Sequence, residues 1–334
     1  MLRADANRCR FAPEAAEGHY ESYFLRANHP KRALAFWIRY TFFIPQGRVQ
    51  DATGELWAVY FDGEDKSISA ARTSFPMAAC RIGRATLDLA IGAARLGDHI
   101  LSGAATCAGR SLAWRMSYTA PQAPLMLQPE AMYERPFPRA KVLVPAPGAV
   151  FSGSLRLDGT VIEIDRWTGS QNHNWGSRHT DAYAWGQVAG FDGAPDVFLE
   201  CATARLKIGF MLTPPLTLVV LRIGALEFSL NSVTQAVRTR AHFDFFYWEI
   251  DAQNADVRIT VSIRAPRQSF VGLDYPNPPG GSKTCLNSKL ASCVLTVEQR
   301  GQRMRSYASG TGAAFEILTD RSDHGVTVLA RECT

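Results

Sequence analysis

Residues 169 to 191 read GSQNHNWGSRHTDAYAWGQVAGF, which sets His173, His179, Trp175, Trp185, Asn172, Asn174, Gln187 and Tyr183 within one short stretch. Polar tips beside large aromatics need partners if they are buried, and the rings waste apolar area if they are exposed. The wall of a mostly apolar pocket with a few inward polar groups meets both demands. Strand alternation puts Tyr183, Trp185, Gln187, Ala189 and Phe191 on one face and Ala182, Ala184, Gly186, Val188 and Gly190 on the other. The second face is almost bare, so it admits either a close-packed sheet or a ligand. In the next strand Phe198, Glu200, Ala202 and Ala204 share a face. If that face is interior, burial raises the Glu200 pKa and keeps an acid protonated near neutral pH. The competing reading sets Glu200 on a solvent face or pairs it with Arg205 or Arg178. Asn172 and Asn174, close to Gly169 and Gly176, also fit a loop whose amides bond their own backbone, with Trp175 plugging a domain junction.

Other chemistry has less support. His173, His179 and Asp181 lack the spacing of helical zinc ligands and have no cysteine neighbour, so no metal is expected. There is no Gly-x-Ser-x-Gly elbow and no phosphate-cradling glycine loop leading into a helix. His242, Asp244, Phe246 and Trp248 alternate and would align a His with an acid, as a structural or a catalytic pair. The segment 274–285 (DYPNPPGGSKTC) reads as a cap on a barrel mouth or a plain connection. The net charge of +5 is spread singly among acids, with no basic run, which argues against nucleic acid and leaves peripheral association with anionic membranes open. Seven cysteines (Cys9, Cys80, Cys107, Cys201, Cys285, Cys293, Cys333) without a Cys-x-x-Cys pair read as free thiols in a reducing, cytoplasmic setting. The first twenty residues lack the apolar core of a secretory signal, and no run of about 18 apolar residues exists to span a bilayer.

The elements that must position these residues are strands. Segments 35–44, 54–61, 99–107, 111–118, 149–157, 160–164, 183–191, 197–206, 216–223, 243–250, 257–264, 291–298 and 326–330 are short, aromatic or β-branched, and divided by Asp-Gly, Gly-Gly and Pro. Only 85–96 (ATLDLAIGAARL) predicts a helix. Segment 57–75 (WAVYFDGEDKSISAARTSF) echoes 185–206 (WGQVAGFDGAPDVFLECATARL): each is a Trp-led strand that turns at Phe-Asp-Gly into a strand ending in small residues. The chain is therefore read as all-β, with two antiparallel barrel or sandwich domains over 1–165 and 166–334.

With His173-Asn174-Trp175-Gly176 flanked by Gly169 and followed by Tyr183 and Trp185, the sequence resembles the AttH and carotenoid 1,2-hydratase superfamily over residues 21–291. Tocopherol cyclases and fungal Diels–Alderases are related by fold. The resemblance implies two consecutive lipocalin-like β domains. It also implies functional roles for a His-x-Trp pair, matched by His173 and Trp175, and for a downstream aromatic-x-acid pair. The nearest counterpart of that second pair is Phe198-Leu199-Glu200, with Phe for tyrosine and Glu for aspartate; Tyr183 could supply the missing phenol. The expected catalytic groups are thus His173, Glu200 and Tyr183, and the expected ligand contacts are Asn174, Trp175, Trp185, Gln187, Phe198 and His179. The expected reaction is a protonation-driven hydration or cyclisation of a hydrophobic isoprenoid or polyketide-like molecule at the domain junction, without a cofactor. Protonating an isolated prenyl double bond needs an acid, an apolar cavity and aromatic faces that tolerate a carbocation. The alternatives are a non-catalytic lipid or isoprenoid carrier, and a ligand-free cluster that only locks two domains together.

Overall fold

The computed structural model describes residues 1–12, 15–208 and 210–329. Its strands form two large antiparallel sheets, and the two sheets make two lipocalin-like domains in tandem. In the first, the strands Ser67–Pro76, Thr53–Asp62, Leu34–Ile44 and His19–Asn28 lead to Thr160–Gly176, followed by Ala140–Leu157, Arg110–Thr119 and Ile100–Cys107. The second repeats this winding: Leu226–Leu230, Leu216–Ile223, Ala194–Arg205 and Ala182–Phe191 lead to Arg305–Thr319, then Ser282–Gln299, Val257–Arg264, Tyr247–Gln253 and Arg240–Asp244. In each sheet the first long strand pairs with the last, which curls a meander toward closure. The first sheet comes nearly round on itself, since the Thr106 amide donates to Thr73 Oγ1 at 2.9 Å. The chain leaves the first sheet at Gly176 and enters the second at Ala182.

Strands on the outside alternate as expected, Arg110–Thr119 burying every second residue. His19–Asn28, Leu34–Ile44 and Ala182–Phe191 are buried on both faces. One face of each enters its own domain's core, and the other meets the opposite sheet. Gly169 has no room for a side chain, because a Cβ there would collide with the Arg26 carbonyl oxygen. That contact lets Thr160–Gly176 lie close along His19–Asn28.

Several expectations are corrected. Residues 85–96 are not helical: they contribute the short strands Asp88–Ile91 and Ala94–Gly97 around a turn with Gly92 at φ +55°. Five apolar residues in that run, Leu87, Leu89, Ile91, Ala94 and Leu96, reach the first core from the hairpin, so tertiary burial overrides local propensity. Residues 243–250 are not one strand. A turn with Phe246 at φ +74° splits them, so the alternation through His242, Asp244, Phe246 and Trp248 crosses a hairpin; His242 meets Tyr247, and Asp244 pairs with Arg321. The Phe-Asp-Gly echo is out of phase with the structural repeat, because its first copy forms the third and fourth strands of one sheet and its second copy the first and second strands of the other. Cys107 is disulfide-bonded, which corrects the reading of every cysteine as a free thiol. Cys9, Cys80, Cys201, Cys285 and Cys293 are free, and Cys333 lies outside the described residues. Among the described residues no helix is long and apolar enough to cross a membrane.

Candidate functional site

The two sheets pack through aromatic side chains, with Phe24, Trp37 and Trp57 from the first against Trp185, Leu273 and Tyr275 from the second. Beside this contact lies a cavity of about 240 Å³. Tyr20, Phe24, Trp37, Arg39 and Asn174 line it from one side, and Tyr183, Trp185, Ala202, Ala204, Tyr275 and Glu316 from the other. Segments around Met132 to Val142 and Asn231 to Ala236 close over it. The small side chains of Ala202 and Ala204 make the space, as the strand after the aromatic one would have to.

Four of the sequence-predicted residues, Asn174, His179, Tyr183 and Trp185, line this cavity, while His173, Trp175, Gln187, Phe198 and Glu200 lie behind its wall. The bare face of Ala182–Phe191 does not face the cavity: a Cβ on Gly186 would stand 2.6 Å from Ile263 Cδ1, inside the second domain's core. Ligand space is therefore on the bulky face, opposite to the bare one.

Glu200 is fully buried, and the Trp185 indole N–H donates to its Oε1 at 3.0 Å while the Gln187 amide donates to Oε2 at 2.9 Å. Burial raises its pKa to about 7 against the pull of those two donors and of the Arg26 charge. Arg26 is also fully buried and donates from Nε to Gln187 Oε1 at 2.9 Å, so Gln187 bridges a cation and an acid. Ser170 and Asn172 complete the bridge from the strand before, at 2.6 and 2.9 Å from the Gln187 side chain. This network crosses from one sheet to the other and holds the indole that faces the cavity.

His173 points into the first domain. Its Nδ1 donates to the Ala6 carbonyl at 2.7 Å, its Nε2 meets Glu21 at 2.8 Å, and it stacks on Tyr23 with ring centroids 4.1 Å apart. Burial tends to raise the Glu21 pKa, but bonds from His173 and His19, the His173 charge and the Arg10 amide outweigh it and hold that carboxyl well below the usual range. Trp175 lies beside His173 under the Arg10 guanidinium, 4.0 Å from its carbon. Phe198 packs with Leu125, Leu127 and Val220.

The cavity carries polar groups of its own. His179 gives Nε2–H to the Pro276 carbonyl at 3.1 Å, and burial, with Arg39 nearby, lowers its pKa to about 3, so it is a neutral imidazole. Burial keeps the phenols of Tyr20, Tyr183 and Tyr275 protonated. Segment 274–285, read as a cap or a connection, forms a hairpin that brings Tyr275 to the wall. Trp37 Nε1, Arg39 Nε and Asn174 Oδ1 are buried without a hydrogen-bond partner among the described residues. Glu316 is the wall's carboxyl, and Lys289 Nζ lies 2.7 Å from its Oε1. That ammonium sits 5.5 and 5.9 Å from the ring centroids of Trp185 and Trp37. Sequence reasoning missed Arg39, Lys289 and Glu316; Arg39 and Glu316 are each a lone charge inside an apolar run, the signal that singled out Glu200, whereas Lys289 follows Asn287 and Ser288 and carries no such signal. Among the described residues no cluster of His, Cys, Asp and Glu could hold a metal ion.

Residues 132–317 match the tocopherol cyclase-like sequence family. Two uncharacterized proteins of Mycobacterium tuberculosis, strains CDC 1551 and H37Rv, are 30% identical over 192 residues. The match covers 57% of this chain and 57% of each relative, so it spans little more than half their length. A solved structure from Nitrosomonas europaea described as an AttH has a TM-score of 0.55 at 14% identity, covering 90% of this chain and 91% of that one. Kievitone hydratase from Nectria haematococca has a TM-score of 0.54 at 11% identity, covering 91% and 89%. At these identities the structural likeness carries the fold alone.

Proposed function

This chain belongs to the tocopherol cyclase-like family, and from that premise and the junction cavity we propose an enzyme that protonates an isoprenoid or polyketide-like substrate to drive hydration or ring closure. The observation that carries the reading is a carboxyl, Glu316, in the wall of a mostly aromatic and aliphatic cavity, backed by the buried ammonium of Lys289. The ion pair holds one transferable proton, on the Lys289 ammonium 2.7 Å from Glu316 Oε1. Burial lowers the Lys289 pKa below the ordinary lysine value although Glu316 pushes it back up, so this ammonium gives up its proton more readily than a surface lysine.

In this reading the proton held between Lys289 and Glu316 passes from the ammonium to the carboxylate and from Glu316 to one alkene carbon, leaving a neutral Lys289 amine, and the tertiary cation left on the other carbon faces the rings of Trp185 and Tyr183. Water or a hydroxyl oxygen of the substrate attacks the cation, and the proton it sheds returns through the Glu316 carboxylate to Lys289, which restores the ion pair. The unpartnered Trp37 N–H and Asn174 Oδ1 suit a polar end of the substrate. Tyr183 is the one expected catalytic group at the wall; Glu200 and His173 act as positioning residues, Glu200 by holding Trp185. Cytoplasmic residence and independence of a cofactor remain part of this proposal.

A second reading, a carrier that binds without reacting, is favoured by the fact that Glu316 is already ion-paired while Glu200, with a pKa near 7, is screened by Trp185. Incubating the protein with prenyl-lipid and polyketide extracts and following conversion by mass spectrometry separates the two. The enzyme reading expects turnover that falls at least a hundredfold in Glu316→Gln and survives in Glu298→Gln, a surface control. Retention of one lipid with no conversion by the native protein overturns it.

A further inference from the structure

Large apolar side chains are exposed at thirteen positions among the described residues, and six of them lie on the segments that close the cavity or on the hairpin that continues from its lining residue Leu206. They are Phe137, Phe210, Met211, Leu212, Val233 and Val237, with Phe210 wholly exposed and Met211 76% exposed. Phe137 and Val233 themselves line the mouth. The hairpin of Lys207–Ile208 and Met211–Leu212 follows directly on Leu206, another lining residue. In the short helix Val233–Arg238, capped by Ser232 and Gln235, Val233 and Val237 are four apart and share the outward face, while Ala236 turns in. A soluble surface that places this much apolar area around one opening marks an interaction site.

The charge around the same opening is one-sided. Arg135, Arg139, Lys207, Arg238 and Arg240 are exposed on these segments, and none of the five forms an ion pair among the described residues. The exposed acids there are Glu130 and Glu134, and Glu134 is held by Arg8 at 3.3 Å. Apolar side chains ringed by unpaired cations fit the interface of an anionic bilayer, where the chains enter the acyl boundary and the cations meet phosphate headgroups. A second copy of this chain is a poor occupant, since like charges would face each other across a two-fold contact.

We propose that this face docks on an anionic lipid membrane, with the cavity mouth turned to the bilayer. The docking surface stands on exposure and charge; only its purpose, loading the cavity with a lipophilic molecule, rests on the function proposed above.

The test is co-sedimentation of the full chain with vesicles of phosphatidylcholine containing about a quarter phosphatidylglycerol, against vesicles of phosphatidylcholine alone. Binding to the anionic vesicles that weakens with salt is expected. Arg135→Gln with Arg139→Gln should lower the partition coefficient roughly 10- to 30-fold at low salt, and Phe210→Ser with Met211→Ser about tenfold. Both double variants change exposed residues outside the cavity wall, and unchanged unfolding curves will confirm that they fold. Equal partitioning of native protein and variants overturns the proposal, as does a dimer in solution that buries Phe210 in place of vesicle binding. Vesicle binding without turnover removes the catalytic reading and leaves the docking face; turnover without vesicle binding does the reverse.

Discussion

Replacing Glu200 by Gln should change how stability depends on pH, and the expected size follows from the site. The ordinary carboxyl value of 4.5 rises to about 7 in the folded protein, because burial outweighs two hydrogen-bond donors and the Arg26 charge. At about 1.4 kcal/mol per tenfold change in proton affinity, that rise is worth ~3 kcal/mol. The folded state holds the proton more tightly than the unfolded chain, so the contribution is fully present below pH 4.5 and is lost as pH rises through about 7. Glutamine cannot titrate, and its NH2 replaces one of the two oxygens that accept from Trp185 Nε1 and Gln187 Nε2, which turns donor against donor and leaves one of them unpaired at a cost of about 1–3 kcal/mol at every pH. The native protein should therefore be the more stable of the two at pH 5, and the gap should close or reverse by pH 8. Urea unfolding followed by tryptophan fluorescence at pH 5, 6, 7 and 8 measures this directly. A gap that stays constant across that range would refute the argument, because it would mean that Glu200 is ionised in the fold throughout.

Three further outcomes are expected. Lys289→Met leaves Glu316 buried without its cation and should cost about 3–5 kcal/mol, whereas Lys289→Met with Glu316→Leu should recover most of it, both read from urea midpoints. Ala202→Phe fills the cavity from the Ala194–Arg205 strand, so retention of a co-purified lipid should drop at least tenfold in native mass spectrometry while thermal unfolding shifts little. Gly186→Val drives a side chain at Ile263 and Trp248 in the second core and should cost about 1–3 kcal/mol in chemical unfolding, with no selective effect on the ligand of the fraction that still folds.

Much of the fold was legible because outer strands obey the period of two: Arg110–Thr119 and Val257–Arg264 alternate cleanly, and their turns carry the residues that turns require. The reading failed where a strand is buried on both faces or where a short hairpin supplies a core. Residues 85–96 have apolar spacing that suits a helix as well as a tight hairpin, and only the packing of Leu89 and Ile91 into the first domain decides between them. Alternation set Glu200 on one face with Phe198, Ala202 and Ala204 but left that face open between the interior and solvent, and it cannot say that Trp185 stands between the buried acid and the cavity. The aromatic face of Ala182–Phe191 was identified, but the bare face was equally open to a ligand on paper, because the Ile263 and Trp248 side chains that fill it come from distant strands. Lys289 and Glu316 escaped notice for the same reason: they are 27 residues apart in sequence and meet only when Ser282–Gln299 pairs with Arg305–Thr319.

The central claim is that the junction cavity protonates its ligand. Its most direct test is mass spectrometry of products formed from prenyl-lipid and polyketide extracts in water labelled with deuterium and oxygen-18. The account predicts a product carrying deuterium on the former alkene carbon, with oxygen-18 added if water closes the reaction and without it if a ring forms. Recovery of a bound lipid that carries neither label would contradict it and leave a binding protein.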